Sequence, residues 1–380
     1  MDGTILSPAV RATLNSLRDI SAAMTVAQKR LATGKKVNSA FDNPVAFFTA
    51  STLNAQARAL GTVLDQVGVA QKALETANNG IESVQSLVET AQSIARQAQA
   101  SADTLAKVTG TVSGLATSTS LSFSNGRTIT VNDGTTTVTF TKGSGDNVQD
   151  FLDAVNASAP LEVTASLTSD GRIQLKADGT QNITIGGTAT TSDLATIGLA
   201  AGTTSYVVNT TRQALAAQFD SLRAQIDAVV SDANYNGVNL LNGSTLDVTF
   251  NESGSSALSI AGVTLSASSL GVVEVSSGTG GDFQLDTEIT DALTQLEAAV
   301  NTLSLESVQF GSYADTVATR QTFTTSMIET LQSGAADLVL ADTDAEGALL
   351  LALQTRQQIA ATALSMSAQA ESQALRLFGY

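Results

Sequence analysis

The sequence predicts an α+β chain: a long antiparallel helical coiled-coil stem formed by both termini, carrying a β-rich inserted outer domain and a β-hairpin region. Three observations predict it. Apolar residues recur at three- and four-residue steps through both terminal thirds. The middle switches to period-two alternation in a background of Gly, Ser and Thr. Only 3 prolines occur in 380 residues, so little interrupts a long helix.

Composition narrows the chemistry before any motif is read. With His 0 and Cys 0 there is no imidazole base, thiol nucleophile, disulfide or zinc finger. A net charge of −16 argues against nucleic-acid binding. Charged residues make up 14%, against roughly 25% in an average soluble domain. This is the composition of a scaffold or polymer, so no catalytic residue, cofactor or metal is expected. The opening Met1-Asp2-Gly3-Thr4 has no basic segment, and no apolar run approaches the ~18 residues that span a bilayer. The expectation is a chain without membrane insertion that would leave the cell without a cleaved signal peptide.

In chain order, Val10, Leu14, Leu17, Ile20, Met24, Ala27 and Leu31 form the first seam. Gly34, Asn38, Ser39, Asp42 and Asn43 read as a non-helical link, its polar side chains placed to cap a helix begun by Pro44. From Pro44 to about Leu105 a heptad-like seam predicts a rod of roughly 90 Å, which must pack lengthwise on other helices. Thr128–Val131 and Thr137–Phe140 flank Asn132-Asp133-Gly134, a hairpin signal. Val163–Leu167 and Ile173–Leu175 flank Ser169-Asp170-Gly171 in the same way. Between the hairpins Val148, Phe151, Leu152 and Val155 predict a short amphipathic helix. Helical spacing resumes at about 206–231, and a second β region follows with strands at Ala257–Ile260 and Val263–Leu265. Two further seams run from Ile289 to Leu338, and the last carries Leu349, Leu353, Ala360, Ala363, Ala370, Ala374 and Leu377. Residues 1–36 carry six bases and two acids, a net of +4; residues 337–380 carry five acids and two bases, a net of −3. That opposition favours pairing of the two arms. Gly278-Thr279-Gly280-Gly281 lacks a following Lys-Ser/Thr and reads as a turn.

Four segments carry a family resemblance. Lys29-Arg30-Leu31-Ala32-Thr33-Gly34 through Asn38-Ser39-Ala40-Phe41-Asp42-Asn43-Pro44 resembles the N-terminal signature of bacterial flagellins. Tyr235-Asn236-Gly237-Val238-Asn239-Leu240-Leu241 resembles a second family segment. Asp342-Thr343-Asp344-Ala345-Glu346 through Leu375-Arg376-Leu377-Phe378 resembles the family's ending. Val148–Asn156 with Gly171–Leu175 resembles a repeat of flagellins and hook-associated proteins. Pro44-Val45-Ala46-Phe47-Phe48 is similar to a Gram-negative subgroup, here with the outer domain inserted between the first two core helices.

The resemblance implies a layered polymer subunit. Residues 1–36 and 345–380 would be terminal helices of an inner tube. Residues 37–108 and 205–344, with a hairpin region at 245–285, would be the helical core, and 109–204 the outer domain. It implies assembly through Leu14, Leu17, Ile20, Met24, Leu31, Leu349, Leu353, Ala360, Ala370 and Leu377, and a link at Gly34, Asn38, Ser39, Asp42, Asn43 and Pro44 that packs between subunits. It further implies export in an unfolded state by the flagellar type III system to an extracellular filament used for swimming. The implied partners are copies of the chain and its paralogues, hook-associated junction and cap proteins, and an export chaperone. A hook–filament junction protein, or a surface flagellin homologue that binds polysaccharide, are the alternative readings.

Overall fold

The computed structural model describes residues 8–275 and 281–377, with the side chains of 371 and 374–377 left out. The Gly278-Thr279-Gly280 turn and the Leu377 seam side chain therefore lie outside the described residues. The chain falls into two compact units, one of Met1–Gln71, Asp247–Ser259 and Asp315–Tyr380, the other of Lys72–Leu246 and Ile260–Ala314.

The order is α1 (Pro8–Thr33), α2 (Pro44–Ala100), β1 (Lys107–Thr109), β2 (Thr128–Asn132), β3 (Thr137–Thr141), α3 (Val148–Asn156), β4 (Val163–Leu167) and β5 (Ile173–Ala177). Then come β6 (Ile183–Gly186), α4 (Thr191–Thr196), β7 (Gly202–Thr204), α5 (Thr210–Asp232), β8 (Thr245–Thr249), β9 (Ala257–Ala261), α6 (Asp286–Val339) and α7 (Thr343–Leu377).

The two longest helices keep a seven-residue repeat. In α2, Val67, Leu74, Ile81, Val88 and Ala95 are buried seven apart, alternating with Val63, Ala70, Ala77, Val84, Ala91 and Ala98. In α6 the repeat is Ile289, Leu296, Leu303, Phe310, Val317 and Thr324. A strict seven-residue spacing keeps the seam on the partner only if the helices wind left-handedly. The sequence reading placed Leu87 and Ile94 in the α2 seam; both are half-buried beside it, and Val88 and Ala95 hold the seam positions. The two seams expected between Ile289 and Leu338 lie on one continuous helix.

Helix α2 ends at Ala100, five residues before the expected Leu105. The reason is distant in sequence. Arg212 Nη2 donates to Ser101 O (2.9 Å), and Asn209 Nδ2 donates to Ala102 O (2.7 Å). Those carbonyls are thereby turned out of the helical ladder, and Asp103 Oδ1 accepts from Leu105 N (2.9 Å) to set the chain going the other way.

Between α2 and α5 two antiparallel sheets close over one core. The three-stranded sheet has the order β1-β5-β4 and the four-stranded sheet the order β3-β2-β6-β7. Both expected hairpins form, β2 pairing with β3 (Val131 opposite Val138) and β4 with β5 (Ala165 opposite Leu175). Helix α3 buries Val148, Phe151, Leu152 and Val155, and Phe151 meets Phe140 edge to face at 5.6 Å. Asn147 with Asp150, and Thr190 with Asp193, form capping boxes on α3 and α4. The Thr111 amide donates to Gly198 O (2.9 Å), so the chain leaves this core close to where it came in.

One turn of this core is held by a carboxylate. Asp133 is 2% exposed, and its oxygens accept from Thr135 N (2.8 Å), Thr136 N (2.6 Å) and Glu162 N (3.0 Å). Burial raises its pKa, but the amides of Thr136, Glu162 and Thr135 outweigh this and hold it at about 2, below the ordinary 3.8. A depressed folded-state pKa stabilises above the unfolded value, and that contribution disappears as pH falls through the folded one. Asp133→Asn should therefore lower the melting temperature near neutral pH. The gap to the parent chain should close between pH ~4 and ~2. A gap independent of pH would show that the charge on Asp133 contributes nothing.

The second β region differs from expectation. β8 and β9 form the two-stranded sheet, but Val263–Leu265 makes only an isolated bridge, between Thr264 and Asn242. The segment instead bonds along residues 240–244, with Gly262 N donating to Ser244 O (3.0 Å), Val263 N to Leu240 O (2.7 Å) and Leu265 N to Leu241 O (2.8 Å), so close that a Cβ on Gly262 would lie 2.4 Å from Ser244 O.

The glycines of α2 make a stability test with opposite signs. At Gly61 and Gly68 an added Cβ meets nothing within 4 Å, so Ala at either should stabilise by about 0.8–1 kcal/mol through helix propensity. At Gly80 it would sit 2.6 Å from Leu241 Cδ1 and 3.1 Å from Ala233 Cβ. Gly80→Ala should destabilise despite the same propensity gain. Thermal melts of the three variants check the sign at each position.

Candidate functional site

Helices α1 and α7 pack on each other within the first unit. The end of α1 meets the start of α7, with Arg30 Nη1 2.9 Å from Glu346 Oε1 and Ala341 N donating to Gly34 O (2.9 Å), so the pair is antiparallel. The seam on α1 is Val10, Leu17 and Met24 with Leu14, Ile20 and Ala27, of which Val10 and Ala27 are buried and the rest half-buried. On α7 it is Leu350, Leu353, Gln357, Ala360, Leu364 and Ser367, with Leu353 7% exposed.

Thus Leu14, Leu17, Ile20, Met24, Leu353 and Ala360 lie in the intramolecular seam. Leu31 and Leu349 do not: they are 39% and 45% exposed, and Ala370 is exposed as well. The run Leu349-Leu350-Leu351 offers three possible phases, and packing on α1 selects Leu350.

The reverse face of α7 is also apolar. Leu351, Ile359 and Met366 are 66%, 63% and 65% exposed, interspersed with Thr355, Thr362 and Ala370. Between Gly347 and Ala370 the one charged residue is Arg356. On α1, Val26 is 48% exposed.

The link is built residue by residue. Gly34 takes φ +68°, a left-handed value that stops α1. Lys36 N and Val37 N donate to Val339 O, and Val37 is buried. Asp42 Oδ2 accepts from Asn38 N and Ser39 N (both 2.9 Å), and these two amides hold its carboxyl below the ordinary value. Asn43 Oδ1 accepts from Ala46 N (3.1 Å), so Asn43 caps α2 ahead of Pro44. The expectation that Asn38, Ser39 and Asp42 share that cap is corrected: they close their own turn. Asp342 Oδ1 accepts from Asp344 N and Ala345 N and caps α7 in the same way. Phe41, Val45 and Phe48 stand 100%, 76% and 60% exposed around this link.

The sequence reading missed a buried arginine in the second unit. Arg212 is 2% exposed and donates to Ser101 O, Phe283 O (3.4 Å), Gln284 O (3.1 Å) and Asp286 Oδ1 (2.7 Å). Gln284 Oε1 accepts from Tyr206 Oη (2.7 Å) and Asn209 N (2.8 Å). Burial, helped by the charge of Asp282, pushes the Glu288 carboxyl up. One guanidinium thus ties together the end of α2, the start of α5 and the start of α6.

The segment Tyr235–Leu241 also has a structural explanation. Asn236 and Gly237 take φ +52° and +84°, and Tyr235 and Val238 exchange both backbone hydrogen bonds, a tight hairpin turn. Asn239, buried, donates to Val230 O (2.8 Å) and accepts from Leu241 N (3.0 Å), closing the end of α5.

No described group of His, Cys, Asp or Glu is arranged to hold a metal ion, and no described helix is long and apolar enough to cross a membrane.

Comparison with known proteins accords with this architecture. Residues 8–115 match the bacterial flagellin N-terminal helical region, and residues 128–179 match the flagellin hook IN motif. Flagellin FljM of Caulobacter vibrioides is 36% identical over 166 residues, and flagellin FljK of the same organism 32% over 167. Each match covers 43% of this chain and 59% of the relative. A flagellin of Brucella melitensis is 30% identical over 170 residues, 42% of this chain and 60% of the relative. The chain thus spans about three-fifths of the length of the curated relatives it matches. In its paired terminal helices, its N-terminal helical region and its central hook IN motif, the chain is similar to bacterial flagellins.

Proposed function

We propose that this chain is a structural subunit, without catalytic activity, that polymerises with its own copies into the extracellular flagellar filament for swimming motility. The observation that carries the reading is α7, apolar on two faces with one charge between Gly347 and Ala370. Leu351, Ile359 and Met366 stand more than 60% exposed on the face away from α1, and α1 covers the opposite side alone. Copies of the chain supply the remainder. Residues 1–36 and 345–380 serve as the inner tube, 37–108 and 205–344, with the hairpin region at 245–285, as the surrounding core, and 109–204 as the outer domain. Export proceeds unfolded through the flagellar type III system, with a chaperone before export and with junction and cap proteins at the filament ends. The test is sedimentation and electron microscopy of the purified full chain at rising concentration with sheared fragments as seeds. Filaments above a sharp threshold are expected. A chain that stays monodisperse at every concentration would overturn the reading.

A further inference from the structure

The outer domain joins the helices through two connecting segments, 101–106 and 205–209, neither of which carries regular secondary structure. Among the described residues no hydrogen bond or ion pair runs directly between 107–204 and α2, α5 or α6, so the polar ties that fix the domain's angle lie in the segments. On the way in, Asp103 Oδ2 lies 2.6 Å from Lys176 Nζ on β5, and Ala106 is buried in the outer core. On the way out, Tyr206 packs against the same core, and its amide donates to Asn182 Oδ1 (2.9 Å).

Tyr206 also reaches the other way. Its Oη donates to Gln284 Oε1 (2.7 Å), just ahead of α6. Burial, then the charges of Asp282 and Glu288, raise the Tyr206 pKa above its ordinary 10.0, so the hydroxyl keeps its proton and stays a donor. Gln284 is 5% exposed and its amide is fully engaged: Oε1 also accepts from Asn209 N (2.8 Å), while Nε2 donates to Asn209 O (3.2 Å) and Asp282 O (3.0 Å). The backbone before it is strained, with φ +71° at Asp282 and +59° at Phe283. It is held by Phe283, edge to face on Phe219 at 5.4 Å, and by Arg212 at the Phe283 and Gln284 carbonyls. Strain of this kind persists only where the surroundings over-determine it, and here it positions Gln284. Between these anchors Thr104, Val207 and Val208 make no described hydrogen bond, and the two valines are 64% and 46% exposed.

We propose that the Tyr206–Gln284 bond locks the outer domain at one angle to the helical core, and that breaking it lets the domain swing about Thr104 and Val207–Val208. The ring is seated in the outer domain while its hydroxyl is held at the head of α6, so a single rigid side chain spans both bodies. The Asp103–Lys176 pair crosses the other segment, but its side chains are 31% and 41% exposed and it contributes little by itself. The lock is a property of the single chain and does not depend on the polymer reading. In an assembly it gives every outer domain the same pose.

The experiment uses the full chain, which has no cysteine of its own, with spin labels at Thr139→Cys on β3 and Glu297→Cys on α6, both exposed positions. Pulsed electron–electron double resonance on the monomer reads the distance between them, and circular dichroism of each variant is the folding control. The doubly labelled chain should give one narrow distance distribution. Adding Tyr206→Phe, which removes one oxygen and keeps the ring, should raise the fraction of molecules outside that peak roughly tenfold. Gln284→Met, which removes the acceptor, should broaden the distribution as well, and Tyr206→Phe alone decides if Gln284→Met does not fold. Thr184→Val removes a hydroxyl bonded to Thr203 inside the domain and should leave the distribution narrow. A distribution that is already broad before any of these changes, or one that stays equally narrow with Tyr206→Phe, shows that no such lock exists. Equal broadening by Thr184→Val also contradicts it, because the domain would then be loosening generally.

Discussion

A chain carrying Ile359→Asp and Met366→Asp should melt as the parent does and fail to polymerise. Both side chains are more than half exposed on the monomer, 63% and 65%, so a carboxylate at either position stays hydrated there. In a filament the same face of α7 is covered, and each carboxylate must be buried without a partner. At about 2 kcal/mol or more per unpaired polar group, the pair should raise the polymerisation threshold by roughly a thousandfold. Ile359→Val, which removes one methylene and no polarity balance, should shift it by only a few-fold, about 1 kcal/mol. Sedimentation thresholds for the three chains provide the check. Equal thresholds would mean that this face of α7 stays in solvent.

Arg212→Met should be the most destabilising single change in the second unit. It leaves the Ser101, Phe283 and Gln284 carbonyls and the Asp286 carboxylate without their donor, in a place where the arginine is 2% exposed. Leaving those carbonyl acceptors without a donor costs about 1–3 kcal/mol each, and the melting transition should fall by roughly 10 °C. Asp286→Ala should cost much less, because its carboxylate is 61% exposed and Arg212 keeps three carbonyl acceptors. Arg212→Lys should fall between the two, since one ammonium cannot span partners on three elements. Calorimetry on the three variants tests the order. A loss from Asp286→Ala as large as that from Arg212→Met would place the energy in the ion pair alone and not in the carbonyl network.

What could be read from the sequence follows from how local each cause is. The rows of α1, much of α2 and the start of α6 were legible because side chains seven apart share a face whatever lies opposite; Phe310, Val317 and Thr324 in the middle of α6 were not, since Gly, Ser and Thr crowd the sequence around them. The two hairpins of the central core were legible because Asn132-Asp133-Gly134 and Ser169-Asp170-Gly171 carry their turn chemistry within three residues. The end of α2 was not, because Asn209 and Arg212 set it from more than a hundred residues away. Arg212 itself was overlooked for the same reason: one arginine in an Ala- and Gln-rich helix reads as solvated until the 282–286 segment closes over it. The phase of α7 was lost in three consecutive leucines, where periodicity carries no information. Val263–Leu265 has the alternation of a strand, but its backbone partners are Leu240 and Leu241 in the turn after α5 and not a neighbouring strand, which alternation cannot show. In the link, the sequence named the residues but not their division of labour, since Asp42 and Asn43 are both good caps and only geometry decides which one serves α2.

The absence of cysteine makes the central claim directly measurable, because any introduced thiol is the chain's single one. Ile359→Cys places it on the outer face of α7, and Thr139→Cys places a control on the exposed side of β3. Reaction with a water-soluble thiol reagent is followed before and after seeding with filament fragments. The account predicts that the thiol at 359 reacts freely in the monomer and slows at least about tenfold on polymerisation, ~1.4 kcal/mol of protection, while the thiol at 139 is unchanged. Equal reactivity at 359 in both states would contradict it, because the apolar outer face of α7 would then still be in water after assembly.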